Sequence, residues 1–212
     1  IYYFILFGLI LITGCTKSSN ELFELSKQNL KDSKSELAIK DLKLLLNKYP
    51  NDSLAAKAQY KLSTIYLNWN NDLQLGYDAL EGLISKYPES KQAKQAAIEI
   101  DEFPEYILNK SESLRKKEMV KEAMDHLMYM INNYSKHSLG SKAQYMLGDI
   151  YMNDLRDFNV AIQEYRKVIE NYIGSEQEPH ALFMIGYIYA NVLNDTKSAK
   201  IEYEEFLKRF PK

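Results

Sequence analysis

The most reactive side chains in this sequence are a single thiol, Cys15, and three imidazoles, His126, His137 and His180. A lone cysteine can form neither an internal disulfide nor a thiolate-rich metal site. The histidines lie far apart, with no carboxylate or cysteine at ligand spacing, so they read as surface or inter-helix residues. Glu204-Glu205 and the nearby pair Glu176 and Glu178 bring carboxylates close together; on or beside helices they are expected on solvated faces. Arg115-Lys116-Lys117 with Lys121 is the densest basic group. At the end of a helix such cations complement the helix dipole; the other reading is a contact with acidic lipid or an acidic partner. No glycine-rich phosphate loop and no nucleophile elbow occurs. The expectation is a protein without catalytic residues, metal or cofactor.

The position of the thiol carries its own meaning. Residues 1–14 hold no charge and are almost wholly apolar. That run is too short to cross a bilayer as a helix but has the length of a signal-peptide hydrophobic region. It ends in Leu11-Ile12-Thr13-Gly14-Cys15, followed by the polar stretch Thr16-Lys17-Ser18-Ser19-Asn20. This resembles the bacterial lipobox. The resemblance implies a signal peptide over 1–14, a lipid on Cys15 and a tether over 15–20. An acidic residue after the cysteine would favour the inner membrane, so Thr16 implies the periplasmic face of the outer membrane. The absence of Met and a basic segment ahead of Ile1 reads as a truncated start.

The elements that would display any functional surface are set by a repeat. A small residue, an apolar one four later, another three later and an aromatic four after that recur five times. The copies are Ala38-Leu42-Leu45-Tyr49, Gly76-Leu80-Leu83-Tyr87, Ala123-Leu127-Met130-Tyr134, Ala161-Tyr165-Val168-Tyr172 and Ala199-Tyr203-Phe206-Phe210. Their small residues stand 38, 47, 38 and 38 apart. Ahead of three of them runs a second signature, 58–66, 143–151 and 181–189, with apolar residues three and four apart as on one helix face. Pro50, Pro88 and Pro211 close three copies, where proline cannot continue a helix; Ser135 and Ile173 close the others. Periods of this size mark stacked helix pairs, none of which buries its apolar face alone. The spacing predicts helices over 21–31, 36–48, 55–68, 74–86, 141–152, 158–172, 179–191 and 196–209. The longer 47-residue step fits an extra helix over 91–103, with Pro104 in the first turn of the next. That insert would either divide the array into two repeats and three or act as a plain spacer.

Together the two signatures resemble the tetratricopeptide repeat. The resemblance implies an all-α solenoid of about five helix pairs, with units one and two over 21–90, the inserted helix over 91–103 and units three to five over 104–212. In that register the first helix of each pair lines the concave face. Its inward residues are Tyr60, Thr64 and Leu67; Tyr145, Asp149 and Met152; Phe183, Tyr187 and Ala190. They form either a stripe for an extended segment or partner helix, or a set partly buried by the next repeat. Aromatics at 60, 145 and 183, where a carboxylate clamp would need a basic residue, favour apolar or extended-chain ligands.

Bulk composition narrows the partner class. With 27 Lys plus Arg against 29 Asp plus Glu, the net charge is −2, and no basic excess exists to attract nucleic acid. A content of 46% hydrophobic and 26% charged residues predicts a folded body. Lipobox, repeats and length together resemble the BamD-type outer-membrane lipoproteins. That likeness implies a non-catalytic, lipid-anchored scaffold whose partners are barrel-assembly components or unfolded outer-membrane protein segments. A second likeness, to the Tol–Pal-associated CpoB proteins, implies a periplasmic repeat protein instead, and a third possibility is an accessory subunit of another envelope complex.

Overall fold

The computed structural model describes residues 17–211, and over these it is all-α, with eleven helices and no strand. The sequence forms two compact units, divided between Ala97 and Ile98. Unit one holds α1 (Ser19–Lys31), α2 (Ser35–Lys48), α3 (Ala55–Asn68) and α4 (Leu73–Lys86). The helix α5 (Lys91–Asp101) carries the division within it. Unit two holds α6 (Phe103–Lys116), α7 (Val120–Asn133), α8 (Gly140–Asn153), α9 (Phe158–Asn171), α10 (Gln177–Asn191) and α11 (Thr196–Arg209). The pairs α1/α2, α3/α4, α6/α7, α8/α9 and α10/α11 are the five expected hairpins, with α5 as the insert. Residues 1–14, Cys15 and Thr16 lie outside the described residues.

Each repeated residue type has a place in the hairpin. The small residues Ala38, Ala123 and Ala161 are completely buried where two helices meet, and Ala199 nearly so. The apolar residues that follow, Leu42, Leu80, Leu127 and Tyr165, are likewise inaccessible. Each closing aromatic is the C-cap of its second helix, with φ between −125° and −132°, outside the helical range, whether or not proline follows. Helix starts are marked by Asp72, Asp157 and Asp195, whose carboxylates accept from the amides of Leu75, Val160 and Ser198. The first helix begins two residues before the periodicity predicts, because Ser18 and Glu21 form a reciprocal capping box.

The core of unit one joins Leu22, Leu30, Ala38, Ile39, Leu42, Leu45, Ala58, Leu62, Ile65, Tyr66 and Ala79. In unit two a cluster centred on Tyr165, Val168, Leu182, Ile185 and Ile188 ties α9 to α10. The first cluster draws on α1, α2, α3 and α4 and the second on α9 and α10, so burial is completed between neighbouring hairpins, as stacked repeats require.

One backbone feature repeats in every hairpin. Ser33, Asn71, Glu118, Arg156 and Asn194 have φ of 58°, 53°, 61°, 54° and 54°, the left-handed conformation. Each stands five residues ahead of the small residue, so the turn recurs with the same 38, 47, 38, 38 spacing. A side chain with Cβ is strained there, and glycine is not. Replacing Arg156 by glycine is expected to stabilise unit two by about 0.5–1 kcal/mol, the strain released less the entropy glycine adds to the unfolded chain. A urea midpoint that falls instead would show that the Arg156 side chain holds the turn.

Candidate functional site

The candidate site is built from the inward residues of the first helices, and the structure separates them by accessibility. On α3, Tyr60 and Thr64 are half-buried, and the Thr64 and Ser63 hydroxyls donate to the Tyr60 carbonyl at 3.1 and 2.8 Å. Leu67 differs from the groove assignment: it is only 6% exposed. A Cβ on Gly76 would lie 2.3 Å from its Cδ2, so Leu67 fills the notch that this glycine leaves in α4. Leu67 is a packing residue of unit one.

The trio on α8 is half-buried and packs against neighbouring side chains. The Tyr145 ring lies 5.2 Å from that of Tyr165 and 6.4 Å from the imidazole of His180. Burial, with the Asp149 carboxylate adding, pushes the Tyr145 hydroxyl up to about 12. Asp149 accepts a 2.6 Å hydrogen bond from the buried Tyr165 hydroxyl, and the Met152 sulfur lies 3.7 Å from the same oxygen. Burial raises the Asp149 carboxyl above its usual range, against the lowering effect of the Tyr165 bond and of Arg115. Tyr165 can come this close because Gly148 has no side chain: a Cβ there would stand 2.7 Å from the Tyr165 ring. Tyr145, Asp149 and Met152 therefore form the wall around one buried tyrosine.

Of these residues, Phe183 and Tyr187 on α10 are the exposed ones. Phe183 is 46% exposed and Tyr187 38%, with Ala190 half-buried one turn beyond. The centroid of the Phe183 ring lies 5.6 Å from that of Tyr203 and 6.0 Å from that of Phe206, so the ring is held by two neighbours while much of it stays accessible. Phe183 occupies the register position of Tyr145. Tyr145 is covered in part by His180 of α10, whereas among the described residues no further first helix lies against α10. Rigid, half-exposed aromatic rings on a helix are suited to an apolar contact and carry no reactive group.

The charged side chains resolve into structural roles. Arg115, in the last turn of α6, pairs with Asp154 at 2.6 Å and reaches the Asp149 carbonyl at 3.4 Å. It links α6 to α8 as well as lying at a helix end. Glu204 is exposed and pairs with Lys200 at 3.7 Å, as expected of a solvated face. Glu178 is a correction: it is 2% exposed, accepts from the Gly174 amide and forms an ion pair with Arg209 of α11. The first turn of α10 is turned inward, against α11, and no signal in the sequence marks it. His126 is buried as well, whereas His180 is exposed and His137 half-buried. Among the described residues no three His, Cys, Asp or Glu gather into a metal-holding group. No helix among them is long and apolar enough to cross a membrane. Sequence reasoning overlooked Trp69, 49% exposed at the C-cap of α3, because it lies just beyond the helix whose spacing was read.

Comparison with known proteins follows the same lines. A tetratricopeptide repeat model matches 142–172 and 180–212, which are α8/α9 and α10/α11. Among solved structures the chain is similar to MamA from Desulfovibrio magneticus RS-1, at 17% identity over 90% of this chain and 93% of that one, with a TM-score of 0.39. It is similar to TPR-like repeats of a Podosopora anserina putative kinesin light chain, at 14% identity, 88% and 92% coverage and a TM-score of 0.38. A thermophilic TPR protein of Thermus thermophilus shares 14% identity over 92% and 93%, with a TM-score of 0.34. No curated protein matches. The family model for YfiO, outer membrane lipoprotein, matches residues 16–155, about two thirds of the sequence. The repeated helix hairpins and this match agree: the chain belongs to the YfiO family of outer membrane lipoproteins.

Proposed function

We propose that this protein is a non-catalytic interaction scaffold of outer-membrane β-barrel protein assembly, held by lipid on Cys15 at the periplasmic face of the outer membrane. The family match carries the reading, and the open aromatic pair on α10 supplies a contact for it. Phe183 and Tyr187 are the residues that meet the partner, a barrel-assembly component or an unfolded outer-membrane segment, with Ala190 beside them. Tyr60 and Thr64 of α3 offer a smaller, half-buried surface on unit one. A single acyl chain holds a protein to a membrane only marginally, so Cys15 needs two or three.

The test is cross-linking in cells with the full-length protein. Phe183→Ala with Tyr187→Ala is expected to weaken capture of the assembly barrel or nascent outer-membrane chains by about 2 kcal/mol or more, while melting stays near normal. Undiminished capture by this double variant sinks the site. Recovery of Tol or Pal components in place of assembly components sinks the assembly role and favours the CpoB-like alternative. Fatty-acid labelling equal in native protein and Cys15→Ser removes the anchor.

A further inference from the structure

His126 is a buried polar side chain for which the function above has no use. It is 2% exposed and sits on α7, in the hairpin that α7 forms with α6. Its Nδ1 lies 2.8 Å from the Glu122 carbonyl. A carbonyl only accepts, so the neutral ring carries its proton on Nδ1. That leaves Nε2 as a bare lone pair, and Nε2 is buried with no hydrogen-bond partner.

The repeats explain the orphan. His126 stands three residues after Ala123, the register position of Glu164 after Ala161. In the α8/α9 hairpin Glu164 is answered by Gln144, whose amide donates at 2.6 Å. Ser111 occupies the place of Gly148, so the place of Gln144 falls to Ile107, an apolar residue with no exposure. The second helix of this hairpin thus keeps a polar group whose first-helix partner is missing.

A neutral imidazole tolerates this arrangement and an imidazolium does not. Protonation places an N–H on Nε2 where nothing accepts it, at the cost of a buried unpaired charge. Across the hairpin, Lys110 of α6 opposes the new charge, while Glu122 and Asp125 on α7 favour it. On α8, the carboxylate of Asp149 is engaged by Tyr165 and Arg115. Burial is the largest of these effects and lowers the ring below the ordinary imidazole range.

We propose that His126 makes the α6/α7 hairpin an acid-sensitive latch, in which protonation at Nε2 opens this hairpin ahead of the other two in unit two. The open hairpin binds the proton more readily than the closed one. Stability is therefore fully present above the ordinary imidazole range and falls as pH drops below it, until the closed form also protonates. Opening would release Arg115 of α6 from Asp154 and from the α8 backbone.

Amide hydrogen exchange between pH 7 and 5, corrected for intrinsic rates, tests this in the whole chain. The opening constant of α6/α7 amides is expected to rise by up to about tenfold per pH unit, with α10/α11 changing far less. His126→Gln is expected to remove most of that rise, and Ile107→Gln to reduce it by offering a carbonyl oxygen that accepts from the protonated Nε2. Should His126→Gln not fold, an NMR titration of the His126 ring in the unaltered protein decides. Equal pH dependence in native protein and His126→Gln, or a ring that titrates at or above the ordinary imidazole range, overturns the proposal.

Discussion

Replacing Arg209 by methionine is expected to cost about 3–5 kcal/mol, because it strands the carboxylate of Glu178 in the interior. Glu178 is 2% exposed, and the guanidinium of Arg209 is the charge that compensates it. The Gly174 amide still donates to Glu178 in the variant, which puts the effect at the lower end of that range. Removing both charges, as Glu178→Gln with Arg209→Met, is expected to recover most of the loss, since a buried ion pair adds little net stability over neutral partners. Urea unfolding reads both. An Arg209→Met protein within about 1 kcal/mol of native would mean that water reaches Glu178 when the arginine leaves.

The second large effect is expected at the Gly148–Tyr165 contact, and the chain supplies its own control. In hairpins one to three the position of Gly148 is Ser26, Ser63 or Ser111, and that of Tyr165 is Leu42, Leu80 or Leu127. In hairpins four and five it is glycine with tyrosine, Gly148 with Tyr165 and Gly186 with Tyr203. Volume is exchanged between the two helices: a small hydroxyl with leucine, or nothing with a ring. Gly148→Ser alone drives a Cβ into the Tyr165 ring and is expected to cost ~1–3 kcal/mol. Tyr165→Leu alone leaves a cavity and strips Asp149 of its 2.6 Å donor, with an expected cost of about 2–4 kcal/mol. The double variant recreates the pairing of the first three hairpins. It is expected to fall short of the sum by about 1–2 kcal/mol. Strict additivity would show that the two positions do not share one packing volume.

Much of the hairpin architecture is legible in the sequence because the residues that specify it act locally. The small residue, the two apolar positions and the closing aromatic of Ala161-Tyr165-Val168-Tyr172 fix one helix face, and that face is buried as the spacing predicts. The starts are less legible where a cap outside the periodic run sets them, as Ser18 does for α1. The candidate site is read less well. Periodicity gives the direction a side chain takes from its own helix but not what the next repeat places over it. Tyr145 and Phe183 have the same register and different surroundings, because His180 of α10 overlies one and nothing described overlies the other. Leu67 and Glu178 fail for a related reason: each is buried by a residue of a partner helix, Gly76 or Arg209, that its own helix does not announce.

The recurrent left-handed turn residue bears on how quickly the protein folds. Each hairpin closes through a turn of only three or four residues, so the contacts that build it join residues close in sequence. Chains dominated by such contacts have low contact order, and their loop-closure entropy is small. Folding is then free to begin in any hairpin and spread to its neighbours. Each turn must still place a residue with Cβ at positive φ as its two helices come together. An array built this way carries the same local requirement five times over, once in each hairpin.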